Sequence, residues 1–271
     1  MLNECEPWLR LGSFIGLLLA LMLWESASPR RPREQPRGPR WLRHLLLTTL
    51  NTLLVRALFP LAAVGAALLA QQHGWGLLPW LGLPGWLSLL LAVLALDCLI
   101  YWQHRLFHRV PLLWRLHRMH HTDTELDATT GVRFHPLEIL LSMAIKLTAV
   151  VALGASPLAV LVFEVLLNAT SLFNHANIWL PTRLDTALRR VLVTPDMHRV
   201  HHSVHVAETD SNFGFNLSWW DHLFGSYRAQ PRDGHQGMRL GLKQFRGPAE
   251  QRLLPLLLQP FRAASRTKKE P

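Results

Sequence analysis

The chain predicts an all-α integral-membrane protein, with four to five transmembrane helices and a helical cap on the cytosolic side. Three observations lead there. Apolar residues gather in long runs rather than alternating with polar ones. Arg, Lys and His fall between and after those runs. The connections rich in Arg all fit on one side of a bilayer, the asymmetry that fixes membrane orientation.

The first run, Trp8 to Trp24, is close to the minimum for a bilayer-spanning helix. Its alternative is a cleaved signal peptide ending near Ser26-Ala27-Ser28. Glu4, Glu6 and the shortage of basic residues before the run argue against it. Ser28 to Arg43 is rich in Pro and carries Arg30, Arg31, Arg33, Arg37, Arg40 and Arg43, which reads as a charged connector. The second run, Leu45 to Ala70, can span with tilt, and Pro60 inside it is a kink site. After the uncharged turn Gln71 to Gly76 and a Trp/Pro/Gly-rich stretch, Trp86 to Trp102 forms a third run with Trp at both ends, as interfacial anchoring favours. Leu137 to Leu153 and Pro157 to Phe173 are separated only by Gly154, Ala155 and Ser156, a tight helical hairpin.

The connections 71–83 and 154–156 contain no Lys or Arg. The reading is therefore five crossings, N-terminus outside and C-terminal region cytosolic. Four crossings with a re-entrant pair is the alternative, because the hairpin helices are short. Residues 1–85 form an N-terminal transmembrane and connector region, 86–230 a central histidine-bearing domain, and 231–271 a basic tail. That tail is expected to be disordered from Arg262 to Pro271. Thr194-Pro195-Asp196 marks a helix start, and Ser211 to Gly225 reads as irregular.

The net charge of +10 raises the question of nucleic acid, but no basic stripe with interleaved aromatics lies outside the apolar segments, so that partner is set aside. Two cysteines, Cys5 and Cys98, exclude a disulfide framework and any metal site built from thiolates alone. A metal here would be held by nitrogen and oxygen.

The histidines point to such a metal. His104 and His108 form H-x3-H. His117, His120 and His121 form H-x2-H-H, and His198, His201 and His202 repeat it. Residues three and four apart share a helix face, so each set aims its imidazoles in one direction. H-x2-H-H should arise by accident roughly 0.05 times in a chain of this composition, and two copies are present. Interfacial histidines beside membrane helices would explain one such residue, not three helix-spaced sets. Eight imidazoles exceed what one first-row ion holds, which favours two ions. Neither the Glu-x-x-His pairs of carboxylate-bridged di-iron bundles nor an H-E-x-x-H pattern occurs. His44, His73 and His235 have no helix-spaced partner and read as solvent or interface residues. His205 and His222 lie beside the motifs.

The order H-R-L-F-H, H-R-M-H-H, R-F-H-P-L-E, F-N-H-A-N, P-D-M-H-R-V-H-H-S and W-W-D-H-L-F-G-S resembles the fatty acid hydroxylase superfamily, which includes sterol desaturases, across residues 90 to 228. The resemblance implies a membrane dimetal oxygenase, with two irons (zinc as the substitute in purified material) at the cytosolic face. The implied ligands are His104, His108, His117, His120, His121, His175, His198, His201 and His202. Some members carry a further histidine where Ser171 stands here, and His135 is the candidate replacement. Glu138, Asn177, Asp196 and Asp221 are candidates to accept the distal N–H of a ligand. Trp179, Trp219 and Trp220 suit either lipid entry or interface anchoring.

The expected reaction is O2-dependent hydroxylation of an unactivated C–H bond in a lipid. Desaturation at the same site and a non-catalytic zinc-binding role are the alternatives. No haem- or flavin-binding segment is visible, so electrons would come from a separate cytochrome b5-like or ferredoxin-like donor. The Leu/Ala/Arg-rich composition suits a bacterial inner membrane, and Lys268-Lys269 would suit the endoplasmic reticulum.

Overall fold

The computed structural model describes residues 2–263, with side chains from Trp8 onward. Among them every regular element is helical, and strand-like pairing is confined to isolated bridges such as Pro29 with Ile178. The elements that place the site are α1 (Leu2–Ala27), α2 (Arg37–Leu58), α3 (Ala62–His73), α4 (Leu77–Trp80), α5 (Gly85–Arg109), α6 (Pro111–His121), α7 (Pro136–Leu153), α8 (Pro157–His175), α9 (Thr182–Leu188) and α10 (Pro195–His201). Five segments are long and apolar enough to cross a membrane: α1 from Trp8, the stretch 37–80, α5, α7 and α8.

The second run, read as one kinked helix, is two helices. Pro60 has no N–H to continue the ladder; α2 closes at Phe59, whose N–H bonds to Val55 O at 2.8 Å. The chain then passes through a positive φ of 47° at Ala62 before α3 resumes. The inner face of α3 is alanine: Ala63, Ala66 and Ala67 pack against Ala92, Leu96 and Ile100 of α5, Val150 of α7, and Ala159, Val160 and Phe163 of α8. In lipid, where apolar surface gains nothing by leaving the solvent, close approach of small residues supplies the packing. The outer faces carry exposed leucines such as Leu19, Leu23, Leu53 and Leu90. At the α7–α8 hairpin Gly154 closes α7 at φ +62°, and a Cβ there would stand 2.4 Å from Trp75 O. Only glycine permits both the left-handed turn and that approach.

One cluster of charges inside the spans is paired. Glu164 of α8 is buried and bonds both Arg10 of α1 and Lys146 of α7. The pairing ties the first helix to the hairpin, where an unpaired carboxylate in hydrocarbon would be costly.

The Arg-rich stretch, read as a charged connector over Ser28 to Arg43, is partly helical. It is irregular only to Pro36, and Arg40 and Arg43 lie on α2. Arg30 pairs with Asp196 at 3.0 Å, and Arg31 donates to Met238 O at 2.9 Å. Arg40 is 2% exposed and pairs with Asp123 at 2.7 Å and with Asp127. Arg133 approaches Asp123 at 3.4 Å, so two arginines balance two buried aspartates. Against the opposing effect of burial, Arg40 and Arg133 hold Asp123 below the usual carboxylate range, and Arg40 with the Thr129 hydrogen bond does the same for Asp127, while burial lowers Arg133 to about 10. The connector is a strap on the cap.

The cap consists of α6, the 3-10 turn Ala128–Val132, α9, α10 and the segments after them. The stretch 211–225, read as irregular, contains one short helix, Trp219–Leu223. Residues 253–261 form the helix Leu253–Leu258 and the 3-10 turn Gln259–Phe261, which lies back on α6. Residues 264–271, where most of the expected disordered tail falls, lie outside the described residues.

Candidate metal centre

Three local features aim the imidazoles inward. Val110 precedes Pro111, which forces it into the extended region at φ −88°, ψ 119°. The turn lets α6 fold back on α5, so that His117 and His121 face His104 and His108. Thr194 caps α10, its Oγ1 accepting from Met197 N at 3.3 Å and donating to Asp185 Oδ1 at 2.6 Å. Pro195 occupies the first helical position. Gly131 lets the 3-10 turn press on the end of α8, where a Cβ would lie 2.6 Å from Ser171 O.

Nine of the ten predicted histidines converge, in two buried groups. His104, His108, His117, His121 and His201 form one; His120, His175, His198 and His202 form the other, with ligand atoms within 4.8 Å of one another in each. Each H-x2-H-H motif is split. Positions i and i+4 of α6 go to the five-histidine group and i+3 to the other, whereas α10 makes the opposite assignment. The two motifs therefore exchange roles across the centre. His121 stacks on His202 at 4.5 Å between centroids, which joins the groups.

Hydrogen bonds fix the tautomers. Nδ1 of His104 donates to Phe213 O at 2.8 Å, His120 to Arg133 O at 3.1 Å, His175 to Ser171 O at 2.6 Å and His201 to Ser211 O at 2.7 Å. His117 Nδ1 donates to Glu138 Oε1 at 2.6 Å. A carbonyl only accepts, so each of these rings carries its proton on Nδ1 and turns an Nε2 lone pair inward. The lone pairs face one another: His104 with His117 at 3.1 Å, and His120 with His175 at 3.1 Å. Neutral imidazoles repel in that arrangement, whereas a cation between them is bound by it. Protonating a ring is opposed by burial, reinforced by neighbouring imidazoles, which pushes His120, His121, His198, His201 and His202 well below the ordinary value. His201 Nε2 and both ring nitrogens of His202 are buried without a hydrogen-bond partner. Buried polar atoms are rarely left so. The donor set thus fits two metal ions of the kind imidazole favours.

The remaining predicted residues have other tasks. His135 is not brought to either group, which corrects its assignment as a ligand. Its Nδ1 accepts from Leu137 N at 3.1 Å as the cap of α7, and its Nε2 donates to Leu257 O at 3.0 Å. The four-histidine group forms without it, and Ser171 contributes its carbonyl to His175 while its hydroxyl donates to Gly131 O. Of the four candidate acceptors, Glu138 alone touches a grouped imidazole directly. Asn177 instead brackets Arg31, accepting its N–H and donating to its carbonyl, both at 3.0 Å. Asp196 binds Arg30 and Arg199. Asp221 accepts from Phe213 N at 2.7 Å and Gly214 N at 2.8 Å, so it acts on His104 only through the Phe213 carbonyl.

Sequence reasoning missed Asp210, 3.4 Å from His108 Nδ1, and the four carbonyl acceptors, which carry no side-chain signature. It also misplaced His44, which is buried and bonded to Thr129 Oγ1 at 2.8 Å, and His235, which is buried. His73 is exposed and stacks on Trp75. His205 pairs with Asp233, and His222 stacks on Tyr227. Trp219 and Trp220 donate to Arg190 O and Asp97 Oδ2, and Trp179 is half exposed.

A family model for fatty acid hydroxylases matches residues 89–226. The chain is 30% identical over 258 residues to an ornithine lipid hydroxylase of Rhizobium tropici, covering 92% of this chain and 72% of that one. It is 31% identical over 160 residues to the alkylglycerol monooxygenase of Homo sapiens, covering 56% of this chain and 33% of that one. It is 26% identical over 151 residues to a putative Δ7-sterol-C5(6)-desaturase of Arabidopsis thaliana, covering 52% of this chain and 48% of that one. No solved structure matches it. With its histidine motifs, its membrane-spanning helices and the matched domain all falling together, the chain belongs to the fatty acid hydroxylase family and is an oxidoreductase of the membrane.

Proposed function

We propose that the protein is a di-iron lipid monooxygenase, which inserts one atom of O2 into an unactivated C–H bond of a membrane lipid. The observation that carries this reading is the division of nine imidazoles into two adjoining groups with inward lone pairs. The five- and four-histidine groups would hold one iron each. Two irons held there would supply the oxidising power to break a C–H bond, the second oxygen atom leaving as water with two electrons and two protons from outside.

The chain's own residues do the rest. Glu138 and the carbonyls of Phe213, Arg133, Ser171 and Ser211 hold five rings in the metal-binding tautomer. Phe134 stacks on His120 at 4.5 Å, and Phe213, Phe215 and Trp114 lie against other ligands. This aromatic lining excludes water and positions an acyl chain near the donors. His104, His108 and His175 lie at the ends of α5 and α8, so a lipid chain reaches the centre without leaving apolar surroundings. Hydroxylation is favoured over desaturation because the two relatives of higher identity are a hydroxylase and a monooxygenase.

The Arg-bearing segments 28–43 and 104–136 favour a centre at the cytosolic face. The bacterial relative and the composition favour a bacterial inner membrane. A separate donor, cytochrome b5-like or ferredoxin-like and acidic enough to meet the basic cap, would deliver the electrons.

Comparative lipidomics of a deletion strain complemented with the wild type or with His120→Ala tests the proposal, together with metal analysis of the purified chain. A lipid one oxygen heavier should appear with wild type alone, and the purified protein should carry two irons. Unchanged lipids with zinc at low stoichiometry would sink it.

A further inference from the structure

The last described stretch leaves an apolar edge that neither the helical bundle nor the metal centre uses. Leu254, Leu258 and Phe261 are 64%, 48% and 66% exposed. Leu112, one turn before Arg115 on α6, is 68% exposed. The opposite face of the same stretch is anchored. Leu256 is buried with Leu47 of α2 and Met119 of α6, and Leu253 and Leu257 pack beside them. Arg115 donates to Pro260 O at 2.7 Å and Arg118 to Arg262 O at 2.7 Å.

The height of this edge against the bilayer follows from one hydrogen bond. α7 has 18 residues, so it is about 27 Å long, close to the roughly 30 Å hydrocarbon core. It spans only if Pro136 stands at one boundary and Leu153 at the other. Leu257 O accepts from His135, the residue before Pro136. The stretch therefore lies at headgroup level, continuous with the lipid-facing start of α7 at Leu137, itself 41% exposed. Arg115 lies on α6, and Arg109, Arg252 and Arg262 flank these segments, a charge pattern that suits an anionic leaflet.

We infer that Leu253–Phe261 is an in-plane membrane seat. Leu254, Leu258 and Phe261, with Leu112, insert into the headgroup boundary of the cap-side leaflet, and the partner is anionic bilayer lipid. The seat presses the cap against the bilayer beside Met119, which lies between His117 and His120 in the chain. It does not depend on which reaction the centre performs.

Single cysteines at Leu254→Cys, Leu258→Cys and Phe261→Cys, in a chain lacking Cys5 and Cys98 and labelled with an environment-sensitive dye, test this in vesicles containing phosphatidylglycerol. The expected result is blue-shifted emission, quenching by acyl-brominated lipid and protection from iodide. Free quenching by iodide would overturn the inference, and so would protection from both quenchers, which would place a second copy there. The unaltered chain gives an independent reading in vesicles carrying a lipid with a diazirine near the headgroup. Photo-adducts should map to 253–261, and their absence there while α2 is labelled would overturn the seat.

Discussion

Glu138 has one atom 2.6 Å from His117 and is itself buried, so its effect on the centre should be separable from its effect on the fold. Glu138→Gln keeps the shape but removes the charge that fixes the ring. Metal affinity should fall about 10–100-fold, the usual cost of losing such a partner, as measured by competition with a chelator. His135→Ala should leave metal content unchanged, because its nitrogens serve Leu137 and Leu257; a loss of metal would return it to the ligand set. The imidazoles also set a pH dependence. His120, His121, His198, His201 and His202 have depressed pKa values when folded, so the folded metal-free chain binds fewer protons than the unfolded one. Their contribution to stability is complete above about pH 6.5, the unfolded value, and is lost as pH falls below it. Thermal unfolding of the metal-free protein should show that slope, and metal retention should follow it, since protonated imidazole is no ligand.

Between elements, the contacts are close enough that single atoms matter. Gly131→Ala would place a methyl 2.6 Å from Ser171 O, the acceptor for His175. The end of α8 must then shift, and metal content should fall toward half as the four-histidine group loosens; full occupancy would show that the turn yields instead. Thr194→Ala removes the cap of α10 and should cost about 1 kcal/mol, read as a lower unfolding temperature in detergent. The start of α10 was legible, because Thr194-Pro195 combines a capping hydroxyl with a proline at the first helical position. The break at Pro60 was legible only as a kink. Whether a proline bends or divides a membrane helix depends on what the neighbouring helices satisfy, and that is absent from the local sequence.

At the scale of the whole molecule, the cap is bound to the bundle by buried charge as well as by apolar contact. Arg40→Ala would leave Asp123 and Asp127 buried without their principal cation, a loss of about 3–5 kcal/mol. The measurement is thermal unfolding with the metal in place. A shift no larger than that of a surface arginine such as Arg232→Ala would remove the strap from the account. The strap escaped sequence reading because a run of arginines near a membrane is ordinarily explained by orientation alone. Its acidic partners lie more than eighty residues away, as the Arg40–Asp123 pair shows.

By itself the sequence determined the helical membrane class, the approximate spans and the histidines of the three motif sets, because apolar run length and helical spacing are local properties. The motif resemblance added His175, which no spacing marks. Only the tertiary structure decided how the nine imidazoles divide between two groups, why His135 stands apart and which acceptors hold the rings. Those acceptors are mostly backbone carbonyls, identical in every residue, and only the folded path of the chain brings a particular one within reach of a particular Nδ1–H.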